Sequence, residues 1–157
     1  MTAPKVTVLM SVLNGEDYLR EAIDSVLAQT FMDFEFLIID NASTDMTPRI
    51  IASYSDSRIR VLRNDNVLTL TQSLNKGMRA ARGDLIARLD ADDLAMPERL
   101  EKQVRFLDAH PDVFLVACAW TDFDENTPSP GVAAPVPPPD HESLLSALAR
   151  ASAARPC

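Results

Sequence analysis

Apolar residues along this chain follow two rhythms. Lys5 to Leu13, KVTVLMSVL, is β-rich and almost continuously apolar, as expected of a strand buried on both faces. Asn14-Gly15 breaks it. Tyr18, Leu19, Ala22, Ile23, Val26 and Leu27 then fall on one stripe, which predicts an amphipathic helix ending near Gln29. Phe34 to Ile39, FEFLII, is a second apolar run and ends at Asp40. Asn41 to Asp45, NASTD, is turn and cap chemistry. A helix is expected to start there, with Pro48 in its first turn and Ile50, Ile51 and Tyr54 on its inner face. Arg58 to Arg63, RIRVLR, alternates as a shorter third strand. Leu70, Leu74 and Met78 step by four and predict a third helix ending around Arg82-Gly83.

Asp84 to Leu89 reads as a fourth strand, its apolar run broken by Arg88. Pro97 to Ala109 reads as a fourth helix, with Leu100, Val104 and Leu107 inward, and His110-Pro111 ends it. Val113 to Trp120, VFLVACAW, is expected as a fifth strand. This alternation of apolar strands with helices predicts an α/β protein, a mostly parallel sheet covered on both faces. The expected core spans residues 1–126. Residues 127–139 hold six of the eleven prolines, lack an apolar period and read as a Pro-rich linker. Residues 140–157 read as a short helical segment capped by Asp140, the start of an incomplete region at which the chain stops.

Composition changes this picture little. A chain of 157 residues can bury a real core, and 46% hydrophobic with 24% charged residues is ordinary for a globular protein. A net charge of −8 argues against a nucleic-acid surface. It does not argue against a phosphate ligand, because a bound divalent cation can invert the local field. Cys118, in an apolar run, is expected to be a buried thiol, and Cys157 is the last residue; two such cysteines make no disulfide framework. A cytoplasmic protein, at most peripheral to the inner membrane face, is the simplest expectation. No apolar run is long enough to span a bilayer, and the N-terminus does not read as a signal peptide.

The candidate chemistry lies at the strand ends. The first strand ends at Asn14-Gly15-Glu16, the second at Asp40, and the fourth at Asp90-Ala91-Asp92-Asp93. In a parallel sheet these ends share one edge, where ligands of open α/β sheets bind. Oxygen ligands without histidine or cysteine suit Mg²⁺ or Mn²⁺, which usually keep waters and bind substrate phosphates. Each piece also has a plainer reading: an isolated DxD is common, and Asn14-Gly15 and Asp40-Asn41 could be turns alone. A dinucleotide oxidoreductase would need a Gly-rich first turn, which Leu13-Asn14-Gly15-Glu16 is not. An aspartyl phosphatase would place its DxD after an early strand.

Three stretches together, VTVLMSVLNGEDYLREAIDSVLAQTF, FEFLIIDNASTDMT and SLNKGMRAARGDLIARLDADDLAMPERLEKQV, resemble the N-terminal part of a family 2 glycosyltransferase. That resemblance implies the Rossmann-like GT-A fold and metal-dependent, inverting transfer from a nucleotide-diphosphate sugar to a glycan, lipid or protein acceptor. It implies that Leu13 and Asn14 hold the nucleotide through backbone, that Glu16 lies beside it, and that Asp40 meets the base, commonly uracil. It implies that Asp92 ligates the metal, with Asp90 near the ribose or the metal's water shell and Ala91 between them. Gly77, Ala81 and Gly83 match small positions that let the third helix and its loop approach the nucleotide. Ser11 stands where many members have proline. Thr69 stands where a glycine commonly precedes the third helix, and a β-branched residue cannot cheaply take positive φ, so that loop is expected to be rearranged. The family's catalytic base lies well beyond the DxD strand. Asp122, Asp124 and Glu125 follow too closely to be assigned that role. A different reading is a binding module that holds the nucleotide without transfer. Oligomeric state stays open.

Overall fold

The computed structural model describes residues 3–118. The chain divides after His110. The first unit contains β1 (Val6–Val12), α1 (Leu19–Leu27), β2 (Phe34–Asp40), α2 (Thr47–Ala52), β3 (Ile59–Arg63), α3 (Leu70–Ala80), β4 (Leu85–Arg88) and α4 (Arg99–Ala109).

The four strands form one parallel sheet in the order β3-β2-β1-β4. Val12 pairs with Asp40, and Leu9 with Arg88, so β4 ends three positions short of β1. The chain builds outward from β1 to β2 and β3, then returns to the other side of β1 for β4. Right-handed crossovers therefore place α1 and α2 on one face and α3 on the other. The packing shows this division. Val6, Val8, Met10 and Val12 of β1 join Phe34, Phe36 and Ile38 of β2 in a core closed by α1, by Ile51 of α2, and by Leu100 and Val104 of α4. Leu9, Leu37 and Ile39 face the opposite way, against Leu74 and Ala80 of α3. Both faces of β1 and β2 are dry, which is why their sequences are apolar without alternation.

The helices depart from the expected stripes at particular residues. In α1, Leu19, Ala22, Ile23 and Val26 are buried, but Tyr18 is half exposed. In α3, Leu70 and Met78 are half exposed and the buried residues are Ser73 and Gly77. A helix lying flat on a sheet needs small residues at its closest approach, so the large apolar residues move to its flanks. At Gly77 a Cβ would collide with the Leu9 side chain and would crowd Ile39 Cγ1 at 3.3 Å. Thr69 adopts φ −64° and ψ 154° rather than a left-handed conformation. It is the N-cap of α3, in a reciprocal capping box with Gln72. The branched residue thus fits because the loop before α3 is extended.

α2 begins at Thr47, whose amide donates to Asp45 Oδ1 at 2.9 Å, while Asn41 and Ser43 earlier in that stretch tie other loops. α4 begins at Arg99. The expected fifth strand is absent among the described residues: 113–118 pair with nothing in a ladder, and Phe114 and Leu115 are exposed. Cys118 is likewise exposed rather than buried. Apolar composition proposes a strand, but only a hydrogen-bonded neighbour makes one. The expected linker and last helix lie outside the described residues. No helix among those described is long and apolar enough to cross a membrane.

Candidate functional site

β1 is the topological switch point, because the chain leaves it in opposite directions for β2 and β4. Beyond its carboxyl end lies a crevice of about 310 Å³, lined by Ser11 to Gly15 on one side and by Asp90, Ala91 and Asp92 on the other. Tyr18 and Leu70 close it with apolar surface. These two residues left the helical stripes, and here they find their use: each is about half exposed, at 48% and 50%.

The first wall is held rigidly. Asn14 sits at φ 53°, a left-handed conformation that asparagine tolerates. Its Oδ1 accepts from the Thr44 amide at 2.9 Å, while its own amide donates to Ser43 Oγ at 3.1 Å. The Gly15 amide donates to Thr47 Oγ1 and the Glu16 amide to Asp45 Oδ2. The Glu16 carboxylate in turn accepts from the Met46 amide at 2.8 Å. The loop after β1 is therefore zipped to the loop after β2. Partial burial would raise the Asp45 carboxyl, but the hydrogen bonds from Thr47 and from the Glu16 amide prevail and hold it below its ordinary value.

The second wall is a turn directly after β4, where the Asp93 amide donates to the Asp90 carbonyl. Arg88 grips Asp90 with both prongs of its guanidinium, Nε to Oδ1 at 3.0 Å and Nη2 to Oδ2 at 2.7 Å. Asp92 lines the crevice and is exposed. The Asp93 carboxyl is raised above its ordinary range, first by burial and then by the charges of Asp90 and Asp92, with Arg99 opposing. The chain leaving this turn is pinned by the end of α1. Gln29, 3% exposed, donates to the Met96 carbonyl and accepts from the Leu100 amide, and Ser25 Oγ accepts from the Ala95 amide.

Of the residues singled out from the sequence, Leu13, Asn14, Asp90, Ala91 and Asp92 come together in this crevice. Asp40 does not line it. Its buried carboxylate accepts from the Ser43 amide at 2.9 Å and faces Arg63 at 3.5 Å, on the wall of a second cavity of about 490 Å³ beside α2 and β3. Glu16 is engaged at the start of α2. Gly77 is buried against Leu9 and Ile39, so its small size serves the contact of α3 with the sheet. Gly83 does the same against β1, donating its amide to Thr7 Oγ1 at 2.9 Å.

Several polar residues that the apolar pattern hides are structurally central. Asn64 Nδ2 donates to Asn41 Oδ1 at 2.8 Å and reaches Ser73 Oγ, which pairs with Ser11 Oγ at the crevice floor. Asn41 also fixes the loop before α3 through Leu68. At the opposite end of the sheet, Glu35 gathers Thr7 Oγ1, the Arg82 amide and the Arg60 guanidinium. A polar residue inside an apolar strand run, as Thr7 and Glu35 are, was the one sequence signal available for this second group.

A two-carboxylate rim suits a hard divalent cation that takes its remaining ligands from water and from a diphosphate. Among the described residues no three histidine, cysteine or acidic side chains converge to hold a metal.

Comparison with known proteins agrees with this architecture. The sequence pattern of Glycosyl transferase family 2 matches residues 7–146. The chain belongs to that family. EpsE of Bacillus subtilis, named as a glycosyltransferase, is 40% identical over 168 aligned positions, which cover 98% of this chain and 59% of EpsE. TarS of S. aureus, solved in complex with UDP, is 27% identical with a TM-score of 0.65, over 68% of this chain and 33% of that one. The mannosyltransferase PcManGT of Pyrobaculum calidifontis, solved with GDP-Man and Mn²⁺, is 28% identical with a TM-score of 0.60, again over 68% and 33%. The described fold is thus the Rossmann-like GT-A fold of this family. The chain spans 59% of the length of EpsE and 33% of each of the two solved chains.

Proposed function

We propose that the crevice between β1 and β4 holds a nucleotide-diphosphate sugar and a divalent cation, Mn²⁺ or Mg²⁺, for inverting glycosyl transfer to a hydroxyl acceptor in glycan assembly. The observation that carries this reading is the joining of a rigid backbone wall, Leu13 to Gly15, to the Asp90-Ala91-Asp92 turn across the switch point of the sheet. Leu13 and Asn14 offer backbone polar groups to the nucleotide, and Tyr18 and Leu70 offer apolar surface to a ring face. Asp92 and Asp90 are the residues that would hold the cation. When bound, it supplies Lewis-acid stabilisation of the departing diphosphate. The protein's own contribution is orientation: walls tied by hydrogen bonds keep the donor in one pose, so the anomeric carbon can be attacked in line. Asp40, Glu16 and Gly77 act from behind, by fixing the loop after β2, the start of α2 and the seat of α3. A UDP-sugar is the first donor to test, since TarS binds UDP, and GDP-mannose is the second.

Calorimetric titration of UDP-sugars and GDP-mannose, with and without Mn²⁺, tests the proposal. Donor binding is expected to strengthen with Mn²⁺, and Asp92→Asn is expected to remove that increment while the far-UV circular dichroism is unchanged. Equal affinity of the variant and the parent for donor and Mn²⁺ would exclude the metal assignment. A transfer assay then distinguishes the catalytic reading from the binding module: metal-dependent binding without turnover assigns donor capture alone to this chain.

A further inference from the structure

We infer that Arg88 is a positioning residue that holds Asp90 off the bare cation until the donor is bound, so that the ion enters with the donor rather than before it. The inference rests on the proposed metal site and deepens it. Arg88 and Asp90 are two apart on and just after β4, so they stand on the same side of the strand path. The guanidinium takes both carboxylate oxygens at 3.0 and 2.7 Å, the fork-to-fork geometry that arginine makes and lysine cannot. Each oxygen that would face an ion thus already has a cationic partner. Among the described residues Asp92 makes no such pair, and it lines the crevice. The backbone on which the pair stands is itself held, since Arg99 Nη2 donates to the Arg88 carbonyl at 2.8 Å.

One carboxylate in water binds Mn²⁺ weakly, whereas one carboxylate plus a diphosphate binds it well. With Arg88 in place, Asp92 is the one crevice-lining carboxylate not already paired among the described residues, and the crevice is selective for the metal–donor complex. Without it, two carboxylates become available and the free protein gains affinity for the bare ion. Both side chains of the pair are about half exposed, so solvent screens the effect and a gain of about 3- to 10-fold is expected.

The test is Mn²⁺ binding to the 157-residue chain without donor, read from the electron paramagnetic resonance signal of free Mn²⁺. Arg88→Ala is expected to tighten binding by that factor. Arg88→Lys keeps the charge and loses the fork, so it should fall between. The double variant Arg88→Ala with Asp90→Asn is expected to lose the gain, because the freed carboxylate is its source. If the gain persists with Asp90→Asn, it reflects only the removal of a positive charge and the inference fails. If Arg88→Ala matches the parent while Asp92→Asn still abolishes metal-dependent UDP-sugar binding, the inference fails and the donor site stands. If the parent shows no metal-dependent donor binding, both fail together.

Discussion

Ala42 holds a left-handed backbone at φ 61°, in the loop that ties the first wall of the crevice. A Cβ in that region costs about 1–2 kcal/mol, which glycine would avoid. Glycine also gives the unfolded chain more freedom, offsetting about 0.4–1 kcal/mol. Ala42→Gly should therefore stabilise the protein by about 0.5–1 kcal/mol, seen as a higher urea midpoint at unchanged slope. A lower midpoint would mean that the alanine methyl packs usefully. The neighbouring Asn14 shows the same economy in a better-suited residue: its amide side chain both tolerates positive φ and accepts from Thr44. The dipeptide Asn14-Gly15 announces a turn in the sequence. Nothing in it says that asparagine, rather than glycine, takes the unusual conformation.

α3 shows at the level of the element how periodicity misleads. A step of four along Leu70, Leu74 and Met78 suggests an inward stripe, yet the closest approach to the sheet is made by Ser73 and Gly77. Helices that cross strands closely put small residues at the contact. Gly77→Ala should cost about 1–3 kcal/mol, because the added methyl meets the buried side chains of Leu9 and Ile39, which must shift within a packed core. Thermal unfolding checks this. A loss of donor affinity with no loss of stability would instead give Gly77 the nucleotide-facing role that family resemblance suggests. The Thr69 cap works in the other direction, from sequence to structure: Thr69-x-x-Gln72 is a local signature, and both of its hydrogen bonds form.

Across the whole molecule, one buried acid joins three strands and the loop after α3, away from the crevice. Burial alone would raise the Glu35 carboxyl, but hydrogen bonds from Arg60, Thr7 and the Arg82 amide prevail and lower it below its ordinary value near 4.5. A carboxyl lowered in the folded state binds fewer protons there than when unfolded. Its contribution is therefore complete above about pH 5 and is lost as pH falls through 4.5 and then through the lower folded value. Glu35→Gln should destabilise the protein by about 1–3 kcal/mol at pH 7. Its stability should also vary less between pH 6 and pH 3 than the parent's, as denaturant titration at each pH would show. Parallel pH curves would mean that another carboxylate governs the acid limb.

Local chemistry was readable wherever it acts within a few residues. The apolar runs of β1 and β2, the break at Asn14-Gly15, the cap of α3 and the acids after β4 are written in the sequence because each depends on neighbours along the chain. The resemblance to the family was readable for the same reason, since it rests on contiguous stretches. Tertiary structure alone decided which strand ends meet. It joined Asn14 to Asp90 and Asp92, turned Asp40 toward Arg63, engaged Glu16 at α2, and placed Tyr18 and Leu70 at the crevice rather than in the core. It also left Val113 to Cys118 without a strand despite their composition. Hydrophobic pattern reports how much surface a segment must bury. The direction of a side chain beyond a strand end, and the partner of a strand edge, depend on elements tens of residues away, brought near only by the crossovers that build the sheet outward from β1.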